Sequence, residues 1–285
     1  MSSDPGLARR IFRKMPVWFK VWYANRRFRR RLTGLDAAHI FDHHLGGQPS
    51  SLAFGIVHFN APDYLLLNIR RLARLYPRSR VYVLDNGSDA NVWSRLILDL
   101  SHCPCVSYYK AGGESEHAVG LQFVLGESAR NGDRHLCLLD QDCLLINPID
   151  PLLEYFSQGI ALIGPTYFHR PGKIHSSLAI LQPQAIYALF GEKAFTYCQT
   201  YTEPMFGLSE RLAGKVMCLE HRFNDPHPYI STYLYGGVPI AYHGWYSSRT
   251  FGMGEGDLLD GDAKKVADVR SWRQRNYEFM KEALK

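Results

Sequence analysis

An apolar run ends abruptly in two acids at residues 135–142, which read HLCLLDQD. Residues two apart on a strand face the same side, so Asp140 and Asp142 can point at one position beyond the end of a strand. Two carboxylates at the tip of a buried strand are unfavourable unless a cation lies beside them. A divalent metal that carries a diphosphate would meet this requirement. The simpler alternative is that one acid caps a helix beginning near Pro151 and the other is solvated.

Strands and helices are predicted to alternate before this stretch. The order is strand 52–59, helix 64–76, strand 81–84, helix 90–100, strand 105–109 and helix 116–129. This order predicts an α/β fold with a mainly parallel sheet flanked by helices. Ligands bind at the carboxyl ends of the strands of such a sheet. Asn60, Asp85 and the pair Asp140 and Asp142 all fall at those ends, where we predict a binding site.

The length of 285 residues suits one large domain or two small ones. No apolar run approaches the length of a transmembrane helix, and no secretory apolar region follows the N-terminus. The six cysteines show no paired metal-ligand spacing, and four of them lie in apolar surroundings typical of reduced thiols. We therefore expect a cytoplasmic protein.

Positive charge is concentrated at the N-terminus. The first 35 residues hold ten Lys or Arg and one acid, a net charge of +9, which leaves −3 for the rest of the chain. Residues 7–32 interleave this charge with Trp, Phe and Tyr, and Pro16 is expected to interrupt or begin a helix. Three interpretations stay open: an anionic membrane surface as partner, a helix packed on the domain, and nucleic acid, which is the weakest of the three. Residues 33–51 are predicted to be a linker.

Three motifs together resemble a known family. They are FGIVHFNAP (54–62), VLDNGS (83–88) and LLDQD (138–142). In this order they are similar to the opening of GT-A fold glycosyltransferases, closest to the family 2 enzymes of bacterial cell-envelope polysaccharide synthesis. The resemblance covers roughly residues 51–249. It implies a GT-A type, Rossmann-like enzyme that moves a sugar from a nucleotide diphosphate sugar to a glycan or lipid-linked acceptor, with inversion favoured.

The resemblance also implies roles for single residues. The base and ribose of the donor would be held at the ends of two strands, by His58, Phe59, Asn60 and Asp85. Asp140 would approach the ribose, the sugar and the metal, and Asp142 would bind Mn²⁺ or Mg²⁺ bridging the diphosphate. Relatives have Asn or a glycine-rich start to the helix where this chain has His117, so the contribution of His117 to donor binding stays open.

An inverting transfer also needs a carboxylate to take the proton of the attacking hydroxyl. Family 2 enzymes carry an acidic motif about three turns before a helix-ending glycine, and counting back from Gly214 reaches Glu203. Pro204 replaces the usual second acid of that motif. Glu203 is the first candidate for the catalytic base, although an acid favoured by a helix dipole explains it equally well. Asp225, which also suits a turn, is the second candidate, and Glu220 is the third.

A late strand at 238–242 ends at His243, where GT-A enzymes often place a further metal ligand. Arg249 would then bind the diphosphate. The glycine-rich residues 252–257 are predicted to be a flexible loop, because no strand precedes them as a dinucleotide fingerprint requires. Residues 263–284 predict a charged amphipathic helix on the surface.

These predictions divide the chain into a basic aromatic segment with a linker (1–50), a glycosyltransferase domain (51–262) and a C-terminal helix (263–285). The nucleotide-sugar half would be about 51–150 and the acceptor half about 151–262. We expect a peripheral enzyme at the inner membrane face. Two rivals remain: a catalytically silent scaffold that binds polyanions or membrane, and a nucleotidyltransferase, which the missing glycine-rich triphosphate loop mildly opposes. A Rossmann oxidoreductase is weaker, since the turn at 60–63 lacks the required glycines.

Overall fold

The computed structural model describes residues 14–43, 49–113, 116–167, 170–198, 204–224, 227–244 and 263–284. Within these ranges the helices are α1 (Val17–Thr33), α2 (Pro62–Leu75), α3 (Ala90–Leu100), α4 (His117–Arg130), α5 (Asp150–Leu153), α6 (Pro183–Phe190), α7 (Pro204–Arg211) and α8 (Ala263–Glu282), with 3-10 turns at Glu154–Gln158 and Gly191–Lys193. The strands are β1 (Ala37–Asp42), β2 (Ala53–His58), β3 (Val81–Asp85), β4 (Val106–Ala111), β5 (Leu136–Asp140), β6 (Cys143–Leu145), β7 (Leu162–Tyr167), β8 (Arg170–Ile174), β9 (Leu178–Leu181), β10 (Val216–Asn224), β11 (His227–Tyr235) and β12 (Val238–Gly244).

The first half of the sheet contains four parallel strands in the order β4-β3-β2-β5. Every residue of β2 and β3 is buried, as a parallel strand covered on both faces requires. Alternate residues enter two cores: Phe54 and Ile56 lie in the core that includes α2 and α3, whereas Ala53 and Val57 lie in the core that includes α4 and α6. The predicted α/β fold with a parallel sheet flanked by helices is confirmed for these central strands.

Helix α4 packs closely on β2 through a glycine. A Cβ on Gly120 would lie 2.7 Å from Cγ1 of Val57, closer than two packed carbon atoms tolerate. The absence of a side chain at Gly120 therefore allows the close approach of helix to strand. This packing fixes the amino end of α4, where His117 stands.

The second half of the sheet is mostly antiparallel and returns to the end of β5. The strand order continues β5-β9-β7-β10-β11-β12-β6, in which β7 and β10 are the parallel pair. Only Gln141 and Asp142 separate β5 from β6, yet β6 pairs with β12 at the far end of this order. The carboxyl end of β12 consequently lies beside the acid pair, and the Gly244 N–H donates to the Asp142 carbonyl at 2.9 Å.

The linker prediction is wrong for residues 37–42. They form the edge strand β1, which pairs antiparallel with β4 through an irregularity between His39 and Phe41. The strand is only partly buried and shows no regular alternation of buried and exposed residues, so the local pattern carries no strand signal. Strands β6, β7, β8, β10 and β11 were likewise absent from the prediction.

Helix α8 covers the region behind the acid pair. Met280 is fully buried and packs with Ala61, Tyr64 and Leu144, while the Tyr277 ring meets the Tyr64 ring edge-on at 5.4 Å. The C-terminal helix is thus part of a hydrophobic cluster. No helix in the described part of the chain combines the length and the apolar character needed to cross a membrane.

The close approach at Gly120 can be tested against Gly126 in the same helix. A Cβ on Gly126 would find its nearest neighbour, Tyr187 Cε2, at 3.8 Å. Both Gly→Ala changes gain the same helix propensity, but only Gly120→Ala meets a clash. We expect Gly120→Ala to be less stable than Gly126→Ala by about 1–3 kcal/mol in urea unfolding. Equal stability of the two variants would contradict the packing described for α4.

Candidate metal centre

Three predicted metal ligands meet at the carboxyl end of β5. Ligand atoms of Asp140, Asp142 and His243 all lie within 4.8 Å of one another. His243 Nε2 is 3.6 Å from Asp142 Oδ1 and 3.9 Å from Asp140 Oδ2. Asp142 and His243 are buried, whereas the Asp140 side chain keeps 21% of its surface exposed. Within the described ranges, this is the one group of three potential ligands so close together.

The side chains in this group suit a divalent cation. Carboxylate oxygens are preferred by Mg²⁺ and Mn²⁺, and imidazole nitrogen is a common partner for transition metals. Two neighbouring carboxylates in a mostly buried place also repel each other unless a positive charge compensates them. The structure therefore brings together three residues that could hold a metal, while binding itself stays a prediction.

Tyr233 contacts Nδ1 of His243, whereas Nε2 is the ring nitrogen near the acids. Its hydroxyl oxygen lies 2.9 Å from His243 Nδ1 and 2.7 Å from Ser177 Oγ. An imidazole that binds a metal through Nε2 carries its proton on Nδ1, which would donate to the Tyr233 oxygen while the Tyr233 hydroxyl donates to Ser177. Burial raises the pKa of Tyr233 well above its usual value, so the hydroxyl keeps its proton.

Gln141, the residue between the two acids, ties their turn to the end of β2. The Phe59 N–H donates to Gln141 Oε1 at 2.9 Å, and Gln141 Nε2 donates to the Phe59 carbonyl at 3.2 Å. Asn68 Nδ2 donates to the Gln141 carbonyl at 2.7 Å. The side chain of Gln141 is therefore directed into the protein, and its two-point contact sets the position of Phe59 relative to the acids.

The predicted donor residues His58 and Asp85 contact each other inside the fold. Neither side chain has exposed surface, and His58 Nδ1 lies 3.1 Å from Asp85 Oδ2. The Ala61 N–H donates to His58 Nε2 at 3.1 Å, which leaves Nδ1–H to donate to Asp85. The other Asp85 oxygen accepts the N–H groups of Gly87 and Ser88. Because these contacts are internal, contact of His58 or Asp85 with a base stays a prediction.

Burial alone would raise the pKa of Asp85. Hydrogen bonds from His58 and from the backbone of Ser88 outweigh that effect and leave the pKa below its usual value. Tyr108 also donates its hydroxyl to Asp85, at 3.1 Å. The ionised carboxylate thus organises the turn that follows β3.

Asn60 joins two strand ends, and His117 lies beside Asp140. Asn60 has a positive φ of 48°, a conformation that Asn tolerates better than most residues. Its N–H donates to Ser88 Oγ at 3.0 Å and its Oδ1 accepts the Asp89 N–H at 2.9 Å, so the ends of β2 and β3 are joined. His117 Nε2 lies 3.4 Å from Asp140 Oδ1 on the exposed side of the acid.

The remaining candidates are placed elsewhere or not described. Glu203, Asp225, Arg249 and the 252–257 loop lie outside the described residues. Glu220 is exposed and pairs with Arg222 at 2.6 Å. On strand β10 it faces away from its neighbour His221, whose ring contacts Tyr233 at 5.8 Å. Glu220 therefore lies on the side of the sheet away from the metal centre, which removes it as a candidate base.

Sequence reasoning missed Tyr233, Ser177 and Gln141. Tyr233 reaches His243 through the register of β11 on β12, and nothing in the local sequence specifies that register. Gln141 offered a weak signal, since a polar residue between two site acids needs its own partners once buried.

The pKa of Asp85 predicts a pH dependence of stability. A carboxyl whose pKa is lowered in the native state stabilises the fold above the pKa of the unfolded chain, about 3.9, and loses that contribution as pH falls through the native value. Asp85→Asn should therefore cost about 1.5–3 kcal/mol at pH 7. The difference from the unaltered protein should shrink below about pH 4 in urea unfolding. The exposed Asp89 of the same turn is the control, and Asp89→Asn should leave the profile unchanged; a parallel shift of both variants would contradict the assignment.

Removal of the Tyr233 hydroxyl predicts weaker metal binding. Tyr233→Phe should lower the affinity for Mn²⁺ by about tenfold or more, because the His243 ring loses the partner that orients it. Titration of Mn²⁺ followed by electron paramagnetic resonance measures this without any turnover. Tyr242→Phe is the matched control, since Tyr242 lies next to His243 but packs on Phe279. Unchanged affinity in Tyr233→Phe, or equal losses in both, would contradict the orienting role.

Comparison with known proteins gives distant structural likeness. No family model matches the chain, and no curated protein matches it. The fold is similar to the mannosyltransferase PcManGT from Pyrobaculum calidifontis in complex with GDP-Man and Mn²⁺, with a TM-score of 0.48 and 11% identity over 94% of this chain and 81% of that one. It is also similar to galactosyltransferase LgtC in complex with donor and acceptor sugar analogs, with a TM-score of 0.45 and 11% identity over 78% of this chain and 95% of that one. A third similar structure is S. aureus TarS 1–349, with a TM-score of 0.44 and 8% identity over 79% of this chain and 71% of that one.

Proposed function

We propose that this protein is a metal-dependent GT-A type glycosyltransferase, which moves a sugar from a nucleotide diphosphate sugar to a glycan or lipid-linked acceptor. One observation carries the proposal: Asp140, Asp142 and His243 converge at the carboxyl end of β5, the edge at which an α/β sheet binds its ligands. The motifs at 83–88 and 138–142 supply the resemblance to the family.

The three candidate ligands would have different contacts near the bond that breaks. A bound Mn²⁺ or Mg²⁺ would neutralise the charge that develops on the departing diphosphate. Asp142 and His243, both buried, would hold the cation. Asp140, which is partly exposed and close to His117 Nε2, would contact the cation and also face the sugar and ribose. His117 would lie beside the donor on the same side.

The end of β2 is the proposed wall for the base and ribose. Phe59 is partly buried, and Gln141 fixes its backbone, so we retain Phe59 and Asn60 as proposed contacts. His58 and Asp85 would act on the donor by shaping the turn between β3 and α3, since their side chains contact protein atoms.

The acceptor side rests on residues beyond the described ranges. For an inverting reaction, Glu203 is the proposed base and Asp225 the alternative, each taking the proton of the attacking hydroxyl. Arg249 is the proposed partner of the diphosphate. We also propose envelope polysaccharide synthesis as the setting, with peripheral attachment to the inner membrane face through residues 7–32.

Loss of the buried ligand tests the function. Asp142→Asn should lower Mn²⁺-dependent release of nucleoside diphosphate from the donor sugar by about 100-fold or more, because the cation stabilises the leaving group by several kcal/mol. A panel of nucleotide sugars, screened with and without Mn²⁺, supplies the donor. Asp99→Asn, an exposed change on α3, is the matched control and should retain turnover.

Two results would point to the rivals. Release of pyrophosphate from a nucleoside triphosphate, abolished by Asp142→Asn, would identify a nucleotidyltransferase. Absence of turnover together with absence of Mn²⁺-dependent thermal stabilisation by any nucleotide would favour the silent scaffold.

A further inference from the structure

Helix α1 is fixed to the domain along one side. Phe28 is fully buried in the core beneath α4. Asn25 makes two bonds to the backbone of Tyr197: its Nδ2 donates to the carbonyl at 2.7 Å and its Oδ1 accepts the N–H at 2.8 Å. Arg27 pairs with Glu116 at 2.5 Å. The orientation of the helix is therefore set, and its opposite side is directed outward.

The outward side combines indole rings with guanidinium groups. At 100° per residue, Trp22, Arg26 and Arg30 lie on the side opposite Phe28, and Trp18 and Arg29 lie beside them at about a right angle to Phe28. All five residues are exposed, and we call them the outer face of α1. Trp18 is 70% exposed and Trp22 is 45% exposed. The ring centroid of Phe19 lies 5.9 Å from that of Trp18 and 5.6 Å from that of Trp22. The Cζ atom of Arg26 lies 5.5 Å from the centroid of the Trp22 ring. Residues 14–33 contain no acid.

An anionic lipid surface fits this face. Indole rings settle at the boundary between headgroups and acyl chains, and arginines beside them attract anionic headgroups. Single-stranded nucleic acid would use the same charges but would stack its bases between separate aromatic rings. Here the two indoles lie with Phe19 in one continuous apolar patch at the amino half of the helix, while the arginines follow at the carboxyl half. That separation favours insertion into a bilayer interface.

Helix α1 also lies beside the metal centre. Its partner Glu116 directly precedes His117, whose ring reaches Asp140. After the helix, the Asp36 carbonyl accepts the N–H of Gly112, just beyond the end of β4. These contacts place α1 along the carboxyl edge of the sheet. We propose that the outer face of α1 binds an anionic bilayer and thereby holds the carboxyl edge, with the metal centre, towards the lipid. This inference rests on the membrane attachment proposed above and deepens it, since it names the residues that contact the lipid and the edge of the sheet that they hold against it.

Vesicle sedimentation of the full chain tests the surface. The protein should bind phosphatidylcholine vesicles that contain phosphatidylglycerol, bind pure phosphatidylcholine weakly, and lose binding as salt is raised. The triple change Arg26→Gln, Arg29→Gln, Arg30→Gln should weaken binding by about tenfold or more, and Trp18→Ala with Trp22→Ala should weaken it comparably.

The matched control removes three exposed arginines elsewhere: Arg70→Gln, Arg74→Gln and Arg78→Gln. This control loses the same charge and should retain most of the binding. Equal losses in the two triple variants would show that only net charge matters and would overturn the inference. Retention of vesicle binding by both outer-face variants would overturn it too, as would tight binding to single-stranded RNA without binding to vesicles.

Hydrogen exchange on vesicles tests the orientation. Lipid should slow exchange in residues 17–33 and 116–120, but not in residues 131–134 at the amino end of β5. Protection at 131–134 instead would place the opposite edge against the lipid. Turnover of a soluble donor without lipid separates the membrane attachment from the proposed transferase activity. Intact turnover without vesicle binding would overturn this inference and leave the transferase activity standing, whereas vesicle binding without turnover would overturn the transferase activity alone.

Discussion

Two like-charged carboxylates share one small, mostly buried place at the joint between β5 and β6. Their mutual repulsion and their loss of hydration both oppose folding unless a compensating charge or a set of donors is present. The ring of His243 lies 3.6 Å from one of them, and a divalent cation would compensate both. A protein has little structural reason to keep such a pair, since an apolar residue would fill the joint at lower cost. This electrostatic cost fits the proposed metal site.

The course of the sheet makes the joint possible. A turn of only two residues carries the chain from the central parallel strands to β6, whose partner β12 arrives about a hundred residues later. The acids and the histidine thus come from opposite ends of the strand order, and the antiparallel half must wrap correctly before they meet. Tyr233 and Ser177 link β11, the segment before β9 and β12 at that point. The three candidate metal ligands therefore come together only when both halves of the sheet have folded correctly.

The parallel half could be predicted from the sequence because its signals are local. The predicted helix 90–100 coincides with α3, and the predicted strands 52–59 and 81–84 end within one residue of β2 and β3, because their apolar runs stop at turn residues. The antiparallel half depends on pairing between distant strands, which has no short-range signature. His243 was reached through the resemblance, whereas Tyr233 could not be, because its partner is set by register. Edge strand β1 could not be predicted for a related reason. Its pairing with β4 makes it a strand, whereas its own sequence pattern carries no strand signal.

Motif residues need not touch a ligand to serve a ligand site. The oxygens of Asp85 accept hydrogen bonds from Gly87, Ser88, His58 and Tyr108. The side-chain amide of Gln141 makes two hydrogen bonds to the backbone of Phe59. Each contact fixes a strand end relative to the acids. Fixed distances of this kind would serve the proposed reaction, because less entropy is then lost when the reacting groups are aligned. The order of motifs along the chain predicts a site. Only the three-dimensional structure distinguishes the side chains that could contact a ligand from the side chains that hold those residues in position.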